Sequence, residues 1–180
     1  MKELYFIFVT SWLLCWGCSS PLHEEKSTAV QGLLKRNNTL SQRLASAFPS
    51  DFSEKRLAMM QTELVIKNKY VSDTIDRAFA KEMNDFKLNR KSIGKLNKAH
   101  LVLKKTLSDE KVQLTLLLED IQLGRGDQEK HQRFIDQEVR NLNTLEKSIN
   151  EFISKLKVFQ DKQRQLDANV SPMAKQLLNP

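Results

Sequence analysis

Residues that break or staple a chain are scarce here: the 180 residues include five glycines, four prolines and two cysteines. The prolines, Pro21, Pro49, Pro172 and Pro180, each stand at the edge of a periodic segment, where a missing N–H does least harm. Long helices therefore meet few interruptions. Both cysteines, Cys15 and Cys18, lie in the first eighteen residues, which excludes a disulfide framework for the remainder and leaves helix packing to supply stability. Alternating apolar strands are missing as well. So is any apolar run long enough to span a bilayer comfortably, since the stretch Leu4 to Leu14 is too short for that.

Chemical motifs are equally sparse. The mature segment has no glycine-rich phosphate loop, no zinc-binding His-Glu-x-x-His helix, no Cys-x-x-Cys pair and no nucleophile elbow. His23 beside Glu24 and Glu25 lacks the second spaced cluster that a metal site needs. The expectation is a protein that is not an enzyme and takes no cofactor and no metal.

The amino terminus has the character of an export signal. The apolar run ends in Leu14-Cys15-Trp16-Gly17-Cys18-Ser19-Ser20. Gly17-Cys18-Ser19-Ser20 resembles the lipobox of bacterial lipoproteins, which are cleaved before the cysteine and diacylated on it. That resemblance covers the signal alone, and Cys15 and Trp16 depart from its usual pattern. It implies a signal peptide over 1–17, lipidation of Cys18, and a membrane-anchored cell-envelope location, with Ser19 similar to the outer-membrane sorting pattern. Ordinary secretory cleavage to a soluble periplasmic or secreted chain is the other reading, because Cys15 and Gly17 are also small residues. Residues 18–27 have no apolar period and read as a flexible tether.

The rest is periodic. Val30, Leu33, Leu34, Leu40, Leu44 and Phe48 define a helix over about 28–48, with Asn37 on the same stripe. Pro49-Ser50-Asp51 breaks it, and the chain is expected to double back there. A second stripe runs from Leu57 through Met60, Leu64, Val71, Ile75, Phe79 and onward to Ile121, predicting one helix over about 52–123. Ser92-Ile93-Gly94 and Ser108-Asp109 are the places where so long a helix can kink. Gly124-Arg125-Gly126-Asp127 is the clearest turn, and a helix over about 128–170 follows. Residues 171–180 read as a tail with room for one short helix.

Two heptad seams test each other. In an antiparallel pair the numbers of facing residues have a constant sum, and a sum of 252 centres the pair on Gly126. It sets Leu117 against Ile135, Leu103 against Ile149 and Ile93 against Phe159, and brings two polar seam residues, Asn89 and Gln163, face to face. Glu110 opposite Leu142 and Leu114 opposite Glu138 are poorer matches that predict a wetter seam near the turn. The expected fold is all-α: an elongated antiparallel coiled-coil hairpin, with a shorter N-terminal helix covering about residues 55–77 of the long central helix.

The formal charge is +7, and no acidic residue interrupts residues 86–108. Lys87, Arg90, Lys91, Lys95, Lys98, Lys104 and Lys105 there form the candidate surface for an anionic envelope polymer, lipid or protein, set against a plain solvated face neutralised by Glu146 and Glu151. Nucleic acid fits that charge but contradicts the export signal. Arg125-Gly126-Asp127 resembles the tripeptide of integrin-binding loops, although those residue types also suit a turn for backbone reasons alone. The leading expectation is a lipid-anchored spacer, adaptor or assembly factor acting through protein contacts, self-association included. A soluble holdase similar in character to Skp-type periplasmic chaperones, and a surface adhesin or host-factor binder, are the alternatives.

Overall fold

α-Helix makes up nearly all of the backbone described by the computed structural model, which covers residues 21–71 and 76–178. Four helices follow one another: α1 (Pro21–Ala47), α2 (Phe52–Lys69), α3 (Arg77–Gln122) and α4 (Gln128–Leu178). The protein is all-α, with no strand among the described residues. The expected export signal, the lipobox-like stretch and Cys18 lie outside those residues.

Helix α1 begins earlier than its apolar stripe announces. Proline suits a first turn, where its fixed φ is already helical and its missing N–H has no partner to lose. Lys26, Leu33 and Leu40 are spaced by seven residues, as are Val30, Asn37 and Leu44, and all six are buried. Residues 21–27 are thus helix and not tether. The bonds that hold them there are made by His23 and Lys26, polar side chains that an apolar count passes over.

The chain does not double back at Pro49. Along α1 and α2, His23 Nδ1 lies 3.1 Å from the Ile121 carbonyl, Asn37 donates to the Leu107 carbonyl at 3.1 Å, Glu63 pairs with Arg90, and the Tyr70 ring packs on Phe79. Their α3 partners fall steadily as the chain advances, so α1 and α2 run in one direction, opposite to α3. The expected packing of a shorter helix against residues 55–77 is corrected accordingly. Phe48 stacks on His100 and Phe52 meets Phe159 edge-on, which pins both sides of the Pro49 break to α3 and α4. Buried positions that step by seven up to Leu44 resume at Phe52, Met59 and Ile66. The break therefore absorbs one extra residue without reversing the chain.

The reversal lies instead between Lys69 and Arg77, where the expected 52–123 helix divides into α2 and α3. Asp76 caps α3, its carboxylate accepting from the amides of Ala78 (2.9 Å) and Phe79 (3.0 Å). Val71, Ile75 and Phe79 keep a helical spacing across the boundary and so conceal it. The face expected inside on α2 is also displaced: Leu57, Met60, Leu64 and Val71 are exposed, while Met59, the neighbour of Met60, is buried. Two apolar stripes share this helix, and packing against α3 and α4 selects the one containing Phe52 and Ile66.

Helix α3 continues through Gly94 and Ser108, and α4 through Pro172 to Leu178, beyond the expected end at 170. A proline inside a helix costs about 3 kcal/mol. Val170 and Ala174, buried on either side of it, offset that cost and replace the expected tail by ordered helix. The core is one narrow apolar strip, with α1 and α2 along one flank of the α3–α4 pair.

Candidate interaction surfaces

The α3–α4 turn is built on two glycines. Gly124 and Gly126 have φ of +63° and +85°, a region that side chains with a Cβ rarely enter. Between them Arg125 leans toward Glu119 and Asp120, 3.8 and 3.9 Å away. The Asp127 carboxylate accepts from the Glu129 amide at 2.9 Å, capping α4. The adhesion-like tripeptide is thus exposed, but both of its charged side chains have intramolecular partners.

The start of α1 is docked on this turn. Gln128 Nε2 donates to His23 Nε2, which leaves the Nδ1 proton of the same ring for the Ile121 carbonyl. Lys26 Nζ donates to the Gln128 carbonyl at 2.6 Å and to Gln128 Oε1 at 3.0 Å, with the lysine buried. Asn37, two heptads on from His23, repeats the α1–α3 register by its bond to Leu107. A buried amide of this kind selects one register out of several that apolar packing alone would tolerate.

The α3–α4 seam has its own polar contacts. Asn89 Nδ2 donates to Gln163 Oε1 at 2.7 Å, and both side chains are buried. Nearer the turn, Leu114 and Leu142 are fully buried, so the seam is drier than their carboxylate partners suggested. Glu110 is buried too, and its Oε1 has no hydrogen-bond partner. Burial, followed by a hydrogen bond with the Glu138 carboxyl and that group's charge, pushes Glu110 up from 4.5 to about 8. Asn141 Nδ2 in turn donates to Glu138 Oε2 at 2.7 Å. Glu110 and Glu138 both fall on seam positions of facing helices, a juxtaposition the heptads contain; their meeting across a diagonal is decided by side-chain reach.

The basic run does not form one patch. Arg90 is half-buried against Glu63 at 2.8 Å, and Lys105 is engaged by Asp109 at 2.6 Å. Lys87 stands beside Glu63 and Tyr70 in a shallow depression. Lys104 lies near His100, whose pKa is lowered by burial first and by that lysine second. Glu146, expected to neutralise lysines of α3, is taken by Arg36 of α1, which holds it below the usual carboxylate range. Among the described residues, Lys87, Lys91, Lys95, Lys98 and Lys104 have no carboxylate within ion-pair distance.

Lys95 and Lys98 are brought together with a lysine that the linear run could not include. With Lys155 and Glu151 of α4 they border a groove of about 610 Å³ lined by Leu96, Leu103 and Phe152, with exposed Val102 at its edge. Lys155 lies one heptad on from Ser148, which also lines the groove, so the heptads carried a signal for it that a search for consecutive charges missed. An apolar lining bordered by three lysines and one glutamate keeps a net positive rim, which suits an acidic amphipathic partner.

Among the described residues no three His, Cys, Asp or Glu side chains cluster as a metal site, and no helix is long and apolar enough to cross a membrane. The chain matches no protein-family profile, no curated protein and no solved structure.

Proposed function

We propose that this protein is a lipid-anchored helical spacer or adaptor of the bacterial cell envelope, acting through protein contacts along its flanks. In this reading acylated Cys18 holds the chain at a membrane, and α3 and α4 form an antiparallel coiled-coil hairpin stiffened along one side by α1 and α2. The observation that carries it is shape with surface: a helix of 51 residues, about 75 Å long, bordering a lysine-rimmed apolar groove. The exposed stripe Leu57, Met60 and Leu64 on α2 is a second apolar face of the kind that helical partners occupy. The hydrogen bond between Asn89 and Gln163 and the two-glycine turn support the hairpin. No catalytic role, cofactor or nucleic acid enters the proposal.

Two measurements test it. Mass spectrometry of the protein from the membrane fraction is expected to find acyl chains on an N-terminal Cys18, and an unmodified mature chain removes the anchor. Photo-crosslinkers placed at Lys98 and at Met60 are expected to trap a discrete protein partner in cells. An absence of products from both positions refutes the adaptor reading.

A further inference from the structure

Which end of the rod meets the membrane follows from where α1 starts. The geometry points to the α3–α4 turn as the membrane-proximal end, with the junction of α2 and α3 and the end of α4 as the distal end. This inference rests on the lipid anchor proposed above and adds an orientation to it.

The argument needs no conformation for the residues before Pro21. From Cys18 to Pro21 is three residues, which reach at most about 10 Å even when fully extended. Pro21 opens α1, and the first turn of that helix is clamped to the α3–α4 turn: His23 to the Ile121 carbonyl and to Gln128, and Lys26 to the Gln128 carbonyl. An acyl group on Cys18 is therefore tied within about 10 Å of this end. The far end cannot substitute for it. Helix α3 alone has 46 residues, about 69 Å of rise, and it separates the turn from the Asp76 cap.

Two consequences distinguish this orientation. Arg125-Gly126-Asp127 faces the anchoring membrane, where a receptor on another surface has least access to it. The groove formed by Lys95, Lys98 and Lys155 stands about 35 Å along the rod, taking 23 residues of α3 from Ile121 to Lys98. That is several times the roughly 8 Å over which headgroup charge acts at physiological ionic strength. The groove's anionic partner is then an acidic segment of a protein, not the lipid that holds the anchor.

Depth quenching on the full acylated protein tests the orientation. Single cysteines at Arg125→Cys, Val102→Cys and Ala168→Cys, each carrying a fluorophore, are reconstituted in phosphatidylcholine vesicles containing a headgroup-nitroxide lipid. The expected result is loss of fluorescence at 125, with intensities at 102 and 168 unchanged from nitroxide-free vesicles. Equal loss at all three positions means a rod lying flat, and loss confined to 168 means a rod inverted; either overturns the orientation while leaving the anchor in place. Mass spectrometry on the same samples, with Cys18→Ser as the unacylated control, separates the two claims. A wild-type chain without acyl mass overturns the anchor and the orientation together.

Discussion

Glu110→Gln should make the protein more stable, by an amount that grows with pH. Glu110 is 7% exposed, lacks a partner at Oε1 and is held near 8 by burial and by Glu138, against 4.5 for a free glutamate. Between these two values the folded chain keeps the proton and the unfolded chain releases it. At this site the folded state then binds more protons than the unfolded, so the contribution of Glu110 to wild-type stability falls as pH rises from about 4.5 to about 8. A glutamine cannot ionise in either state, and its amide can still donate to Glu138. It removes the advantage that ionisation gives the unfolded wild type, about 1 kcal/mol at pH 5 and about 3 kcal/mol at pH 7, from 1.36 kcal/mol per pH unit. Urea unfolding at both pH values, followed by far-ultraviolet circular dichroism, measures the gap. His100 and other groups titrate in both proteins and cancel in the difference. A gap that stays flat between pH 5 and pH 7, or a glutamine variant less stable at pH 7, refutes the idea of a neutral buried carboxyl.

Further substitutions probe the register, the turn and the interior of α3. Asn37→Leu should fall within about 1 kcal/mol of wild type in urea unfolding, because it replaces a buried hydrogen bond by apolar packing of similar volume, whereas Asn37→Ala should cost about 2 kcal/mol. A double-mutant cycle on Asn89→Ala and Gln163→Ala should return a coupling of about 1 kcal/mol; additive single effects would mean that the bond does not contribute. Gly126→Ala should cost about 1–2 kcal/mol, because φ is +85° and the new Cβ would lie 3.2 Å from His131 Nε2. Gly94→Ala has open space around it inside α3 and should stabilise by about 0.5–1 kcal/mol. Thermal melts of the two glycine variants that moved in the same direction would contradict this contrast.

Much of the architecture was legible because the signals are local. Periodicity predicted helices over about 28–48 and 128–170, where Pro21–Ala47 and Gln128–Leu178 are helical, and Gly124 and Gly126 marked a turn that the backbone indeed makes in the left-handed region. The 252 register brought together Asn89 and Gln163, which are hydrogen-bonded. The failures share one cause. At 70–76, apolar residues keep their helical spacing through a reversal, so periodicity is silent about direction, and the informative residue is the capping Asp76. At Pro49 the opposite holds: the local signal says stop, but Phe48 on one side packs on α3 and Phe52 on the other packs on α4, and together they carry the chain onward. The groove was half visible, since Lys95 and Lys98 lie in the basic run while Lys155 is far along the chain on α4.

Composition and period by themselves determined that this chain is helical, that it lacks a disulfide framework, and that its turn falls at 124–127, because each depends on backbone preference or on residues adjacent in sequence. Tertiary structure decided which of two apolar faces α2 buries, that α1 runs beside the turn-proximal half of α3, and which charges are spent on one another. Glu146 goes to Arg36 and Arg90 to Glu63, leaving Lys95 and Lys98 to join Lys155. Those outcomes depend on which helix flanks meet, and a one-dimensional pattern of apolar residues repeats too regularly to choose among them.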